Sequence, residues 1–233
     1  MNLLRKLKNY ALRKIRVLRK NEIVKNELAL INDKEFVIIS DNCWGGAAYQ
    51  WYHKPYNSPF VGLGIYGECY IKLLANFDYY MNLPLTFKPQ QESKHPYRFK
   101  ESYYPMAVLD DVEIHFVHYQ SVKEASKKWA TRRDRMLKVK NKDNYFFKIC
   151  DDWKANSEQI KLFHQLPFKN KISFVPDTQR CAEPQEQIGV YERHNRNKMS
   201  VPNGLGLFKI TFLYFDLSKW LSSSKIHRTT YKN

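Results

Sequence analysis

Residues 35–52 read EFVIISDNCWGGAAYQWY, and the change of pattern inside them sets the fold class. Phe36, Val37, Ile38 and Ile39 form an unbroken apolar run, the signature of a short strand buried on both faces. Ser40, Asp41 and Asn42 follow as turn and cap residues, and from there the chain reads as a helix that Pro55 stops. A strand that feeds a helix through a short loop is the unit from which parallel sheets are assembled.

Gly45 and Gly46 stand in the first turn of that helix, where each costs roughly 1 kcal/mol against alanine. Either the helix packs tightly on the sheet, or an anion approaches the free N–H groups of its N-terminus. On the second reading Asn42, Trp44, Gly45 and Gly46 are ligand-binding candidates, with Trp44 serving as packing or as a stacking platform. SDNCWGG is neither GxGxxG nor GxxxxGK[ST], so no cofactor is identified. Cys43 is a candidate nucleophile, because a helix N-terminus favours the thiolate; the alternative is a small buried hydrophobe.

Outward from this stretch, strands and helices alternate. PFVGLGIY (59–66) is strand-like at its start, and Tyr70, Leu74, Phe77 and Met81 predict one helix over 67–81. Residues 88–97 are polar, lysine-rich and bounded by prolines, as an exposed loop is. Two strands, 106–109 and 112–119, flank a turn at Asp110 and Asp111, and SVKE opens a helix reaching about residue 137. Strands YFFKI, KISFV, IGVYE and LFKITFLYF, with helices over 157–166 and at DLSKWL, complete the chain. Several strands are continuously apolar, so helices must cover both faces of the sheet. The expected fold is a three-layer α/β/α domain with a mixed, mostly parallel sheet over residues 33–233. Residues 1–22 are set apart as a basic amphipathic helix.

In that helix Leu4, Leu7, Ala11, Ile15 and Leu18 recur at helical spacing among eight cations (Arg5, Lys6, Lys8, Arg13, Lys14, Arg16, Arg19 and Lys20) with no acidic residue. It can lie on an anionic membrane surface or pack on its own domain. The formal charge of +16 calls for an anionic partner, but no helix-turn-helix, finger or RNP-type motif points to nucleic acid. Four separated cysteines, without a CxxC pair, encode neither a zinc site nor a disulfide framework. No run approaches the ~20 apolar residues of a membrane span. A reducing cytoplasm, with peripheral attachment at the inner membrane face, is the expected location.

Strand alternation puts Glu113 and His115 on one face, where they can serve as an acid/base pair or form a satisfied polar cluster. Asp111 at the preceding turn is a further catalytic candidate, while no metal-ligand set can be assembled around it. On the helix that follows, Val122, Ala125, Trp129 and Met136 make an apolar stripe, with Arg133 inside it and Arg132 at its edge. A guanidinium there must meet a carboxylate, with Glu113, Asp111 and Asp151 the candidates, or a ligand phosphate.

SDNCWGG (40–46), SPFVGL (58–63), DVEIHFVHY (111–119) and KWATRRDRM (128–136) occur in this order. Together they resemble a bacterial family of unknown function whose members are often called exopolysaccharide biosynthesis proteins, over about residues 36–175. That family usually carries Asn-Asn before the cysteine; here the first position is Asp41. The resemblance implies a three-layer α/β/α fold and a place in exopolysaccharide or capsule assembly, with no established catalytic residue. The expected activity is that of a sugar-transferring or sugar-modifying enzyme, glycosyltransferase-like, taking a phosphorylated donor linked to a nucleotide or lipid. The alternative is a non-catalytic binding or scaffold protein of the same machinery.

Overall fold

The computed structural model describes residues 3–95, 103–181, 184–194 and 199–230. Two helices lead in, α1 (Leu3–Leu18) and α2 (Lys20–Ile31), ahead of β1 (Val37–Ser40) and α3 (Trp44–Trp51). Then come α4 (Gly67–Ala75), α5 (Phe77–Asn82), β2 (Thr86–Lys88), β3 (Met106–Leu109), β4 (Val112–His115) and α6 (Val122–Lys138). The second half holds β5 (Tyr145–Cys150), α7 (Ser157–Gln165), β6 (Asn170–Pro176), β7 (Gln187–Val190), α8 (Gly204–Thr211) and α9 (Leu217–Ser223).

β1, β5, β6 and β7 form a parallel sheet in that order, with Ser40 level with Lys148 and Cys150 level with Phe174. Alternate residues feed two cores. Val37, Ile39, Tyr145, Phe147, Ile149 and Val175 face a cluster completed by Tyr70 and Leu73 of α4, Trp129 of α6 and Phe163 of α7. Ile38, Phe146, Ile172, Phe174, Ile188 and Val190 face a second cluster with Ile31, Trp44, Leu207 and Trp220. Helices therefore cover both faces, which is why these strands read as continuous apolar runs. The antiparallel strands make their own sheet, β2-β3-β4, joined by an isolated bridge between His115 and Gly64 to the segment that runs past the end of β1.

Local chemistry explains where the elements differ from expectation. LFKITFLYF is helical at its start, because Asn203 Oδ1 accepts from Gly206 N at 2.9 Å and Leu207, Ile210 and Leu213 bury at helical spacing. The helix expected over 67–81 breaks at Asn76, whose φ of −127° and ψ of 46° leave the helical region. The strand expected to reach Tyr119 ends at His115 and turns, with Tyr119 N donating to Phe116 O at 3.0 Å. Residues 59–66 form no named strand: Ile65 N donates to Asp41 O at 2.8 Å, and Gly64 supplies the bridge. In the polar stretch 88–97, Ser93 is buried; positions 96 and 97 lie outside the described residues, as does position 2 of the first helix.

Candidate functional site

The parallel register brings the carboxyl ends of β1 and β5 side by side, the edge of an α/β sheet where functional groups gather. Lys148 interrupts an otherwise apolar strand and points to the same face as Phe146 and Cys150, fully buried. Its ammonium donates to Asp41 Oδ1 at 2.8 Å, Asn42 Oδ1 at 3.0 Å and Cys150 Sγ at 3.0 Å. Asp41 Oδ2 accepts from Cys150 N at 3.2 Å, and Tyr70 bridges the strands by donating to the carbonyls of Ile39 and Lys148. Burial pushes the Asp41 carboxyl above its ordinary value against the pull of Lys148. Burial also works against the ammonium, but Asp41 and Cys150 outweigh it and hold Lys148 in its charged form.

The same edge continues into a 3₁₀ turn, Asp151–Trp153. Asn42 Nδ2 donates to Asp152 Oδ2 at 3.4 Å, and Asp151 Oδ1 accepts from Val201 N at 3.0 Å. Burial, against the Val201 N–H and aided by the Asp152 charge, raises the Asp151 carboxyl to about 6, a value suited to proton exchange near neutrality.

The phosphate cradle expected at the start of α3 is not formed. Asn42 Oδ1 already accepts from Trp44 N at 3.2 Å, and Gly204 closes over the turn: a Cβ there would lie 2.7 Å from Asn42 Oδ1 and 2.8 Å from Trp44 N. The two glycines serve packing instead. A Cβ on Gly45 would meet Ile38 Cγ2 at 3.0 Å and one on Gly46 would meet Val61 Cγ1 at 3.0 Å. Trp44 is wholly buried and donates to Thr211 Oγ1 at 2.9 Å, so it offers no stacking platform. Burial, with Asp152 and Asp41 nearby, pushes the Cys43 thiol up to about 12, which removes the thiolate on which a nucleophilic role depends.

Glu113 and His115 do meet, with Glu113 Oε2 3.5 Å from His115 Nε2 and both residues buried. The carboxylate also accepts from Ser93 Oγ at 2.9 Å and Lys94 N at 2.7 Å. Burial opposes its charge, yet His115 and these two donors prevail and hold Glu113 at about 2. Around His115 stand Tyr66, Tyr104 and Trp153, with ring centroids at 5.3, 5.9 and 5.7 Å. His95 stacks on the far side of this box, 3.6 Å from the Tyr66 ring, with Nε2 3.3 Å from Glu68 Oε1. Trp153 thus joins the 3₁₀ turn to the dyad. It lies so close to Gly64 that a Cβ there would fall 1.9 Å from Trp153 Cζ2.

The remaining candidates lie elsewhere. Asp111 is at the surface, bonded to Lys72 and to Tyr80 Oη at 2.9 Å. Arg132, not Arg133, is the buried guanidinium: it donates to Tyr119 Oη at 2.6 Å and Val61 O at 3.3 Å and lies over the Tyr56 ring. Arg133 is half-buried and reaches Leu83 O at 3.4 Å and Asp134 at 3.6 Å. Neither arginine meets Glu113, Asp111 or Asp151 among the described contacts, so the carboxylate pairing expected for the buried guanidinium is not formed. Asp151 and Asp152 follow the strand YFFKIC at its carboxyl end, a position already suggestive in the sequence, whereas reasoning from sequence missed Lys148, Trp153, Ser93 and His95; of these only the lysine within YFFKIC carried a visible signal. Among the described residues, Glu68, Cys69 and His95 hold their ligand-type atoms within 4.8 Å of one another.

Residues 14–222 match the family described as Domain of unknown function (DUF1919), and the chain belongs to it. It is also 34% identical over 196 residues, 82% of this chain and 86% of the relative, to a Haemophilus influenzae protein whose name reads "Uncharacterized protein". The match extends beyond residues 36–175 to take in α2, α8 and most of α9.

Proposed function

From the resemblance carried by SDNCWGG, SPFVGL, DVEIHFVHY and KWATRRDRM we propose an enzyme of cell-surface polysaccharide assembly, exopolysaccharide or capsule. It transfers or modifies a sugar carried on a nucleotide or lipid, at the cytoplasmic face of the inner membrane. The observation that supports this reading most is the contact through Trp153 between two sets of titratable groups, the Glu113–His115 pair and the Asp151–Asp152 turn. Glu113 stays ionised and orients the imidazole; Asp151, poised near neutrality, exchanges the proton. Carboxylates beside indole and phenol rings suit a polyhydroxylated ring, whose hydroxyls need acceptors and whose C–H face needs an apolar surface.

Calorimetric titration of the full chain with UDP-glucose, UDP-galactose and UDP-N-acetylglucosamine tests this. Binding of at least one is expected, with Glu113→Gln and Asp151→Asn lowering turnover about 10²-fold or more while leaving affinity nearly unchanged. A folded wild type that binds none of the three sinks the reading. The closed cradle at α3 and the complete burial of His115 favour a second reading, a non-catalytic binding or scaffold protein of the same machinery. On that reading both variants sustain polysaccharide production in cells.

A further inference from the structure

Among the described residues, Leu7, Tyr10, Val17 and Leu18 of α1 do not pack on the domain. Arg5, Asn9, Leu12 and Arg16, spaced i, i+4, i+7, i+11, turn inward and are the least exposed described residues of the helix. Arg5 lies 3.7 Å over the Tyr191 ring, and Asn9 Nδ2 donates to Glu192 Oε1 at 2.7 Å. Arg16 stacks over Trp51 and Phe212 and pairs with Glu27 at 2.9 Å. Leu3, Leu7, Tyr10, Val17 and Leu18 face outward and are between 58% and 83% exposed. A contiguous apolar face left in water along a whole helix marks an interaction surface.

Charge identifies its occupant. Lys6 and Arg13 border the stripe on one side and Lys8 on the other, Lys14 rises within it, and residues 1–20 contain no acid. Cations rimming an apolar stripe along its length match a headgroup layer, with phosphates beside acyl chains at every turn. A second copy fits poorly, because it would set these cations against their equivalents. We propose that the outward face of α1 docks on an anionic bilayer, with Leu7, Tyr10 and Val17 sunk to the acyl boundary and Lys6, Arg13 and Lys14 on lipid phosphates. The inward contacts to Glu192, Trp51 and Glu27 then fix how the domain sits on the membrane. Only the membrane location is shared with the proposed function, and lipid binding is read without any sugar ligand, so either idea can fail alone.

The test is flotation of the full chain with phosphatidylcholine vesicles, with and without phosphatidylglycerol, at low and high salt. The wild type is expected to float with the anionic vesicles alone. Val17→Glu should lower partitioning about tenfold, from the apolar area lost. Lys6→Gln with Lys14→Gln should lower it about thirtyfold, at about fivefold per cation. All three positions are exposed, so unchanged thermal melting separates lost docking from lost folding. Three results would overturn the proposal: no flotation with anionic vesicles at low salt, flotation that Val17→Glu leaves unaltered, or a solution dimer broken by Leu7→Glu in a protein that does not float.

Discussion

Replacing Lys148 with methionine is expected to destabilise the protein by about 3–5 kcal/mol at pH 7.5, the scale for breaking a buried ion pair from one side. Methionine reproduces the stem, so packing contributes little. What disappears is the counter-charge: Asp41, only 1% exposed, keeps the Cys150 N–H at 3.2 Å and loses the ammonium at 2.8 Å. Burial already raises the Asp41 carboxyl, and without Lys148 nothing of comparable strength opposes that rise. The folded variant then binds a proton that the unfolded chain releases above its ordinary carboxylate value, so its stability falls as pH increases. The loss relative to wild type should therefore be small near pH 4 and reach its full size by pH 7.5, at about 1.4 kcal/mol per unit of additional shift. Asp41→Asn combined with Lys148→Met removes both charges and should recover most of the loss, leaving about 1 kcal/mol for the contacts with Asn42 and Cys150. Urea denaturation followed by tryptophan fluorescence at both pH values measures all of this. A loss below about 1 kcal/mol at pH 7.5, or an equal loss at the two pH values, would refute the reasoning, since neither is compatible with an ammonium that neutralises a sealed carboxylate.

Asp151 gives a pH dependence of its own. Its folded value near 6 exceeds the ordinary 3.8, so the folded state holds the proton more tightly; stability is greatest below the lower value and declines as pH rises to about 6. Asp151→Asn removes that decline, and chemical denaturation should find it more stable by about 1–3 kcal/mol at pH 7.5 and unchanged at pH 4. Arg132→Met should cost about 1–3 kcal/mol by denaturant titration, moderated because Tyr119 Oη still donates to Val61 O. Arg133→Ala, on a half-buried residue held by one long hydrogen bond to Leu83 O and an exposed pairing with Asp134, should stay within about 0.5 kcal/mol.

Most of the fold was legible because alternation and capping are local. Ser121 Oγ accepts from Glu124 N at 3.2 Å, as SVKE foretold, and the apolar runs at Val37, Tyr145 and Ile172 are the strands of the parallel sheet. LFKITFLYF misled because a run apolar at nearly every position has neither a period of two nor one of 3.6, and the deciding cap, Asn203, lies outside it. Arg132 and Arg133 were exchanged for a similar reason. A helix face is set by what packs against it, and one residue turns the side chain through about 100°. The N-terminal stripe was recognised, but its direction depends on Trp51, Glu192 and Phe212, all distant in sequence.

The site was less legible because its defining pairs cross between strands. Glu113 and His115 share a strand, so spacing alone placed them together. Lys148 is different. An ammonium in a strand buried on both faces requires an anion, but YFFKIC contains none and the acids that follow it lie beyond the end of the strand. Once β1 is known to run parallel to β5 with Ser40 level with Lys148, Asp41, the residue directly after β1, falls beside the ammonium and becomes its partner. The glycines follow from the same register. With Asn42 and Asp41 engaged by Lys148, the start of α3 is anchored to the sheet, and Gly45 is needed so that the helix can lie against Ile38 and Ser40. The stretch that suggested an open phosphate cradle is therefore the place where β1, β5 and α3 are locked together, and the proposed chemistry lies at the turn that follows β5, at Asp151, and through Trp153 at the Glu113–His115 pair of the antiparallel sheet.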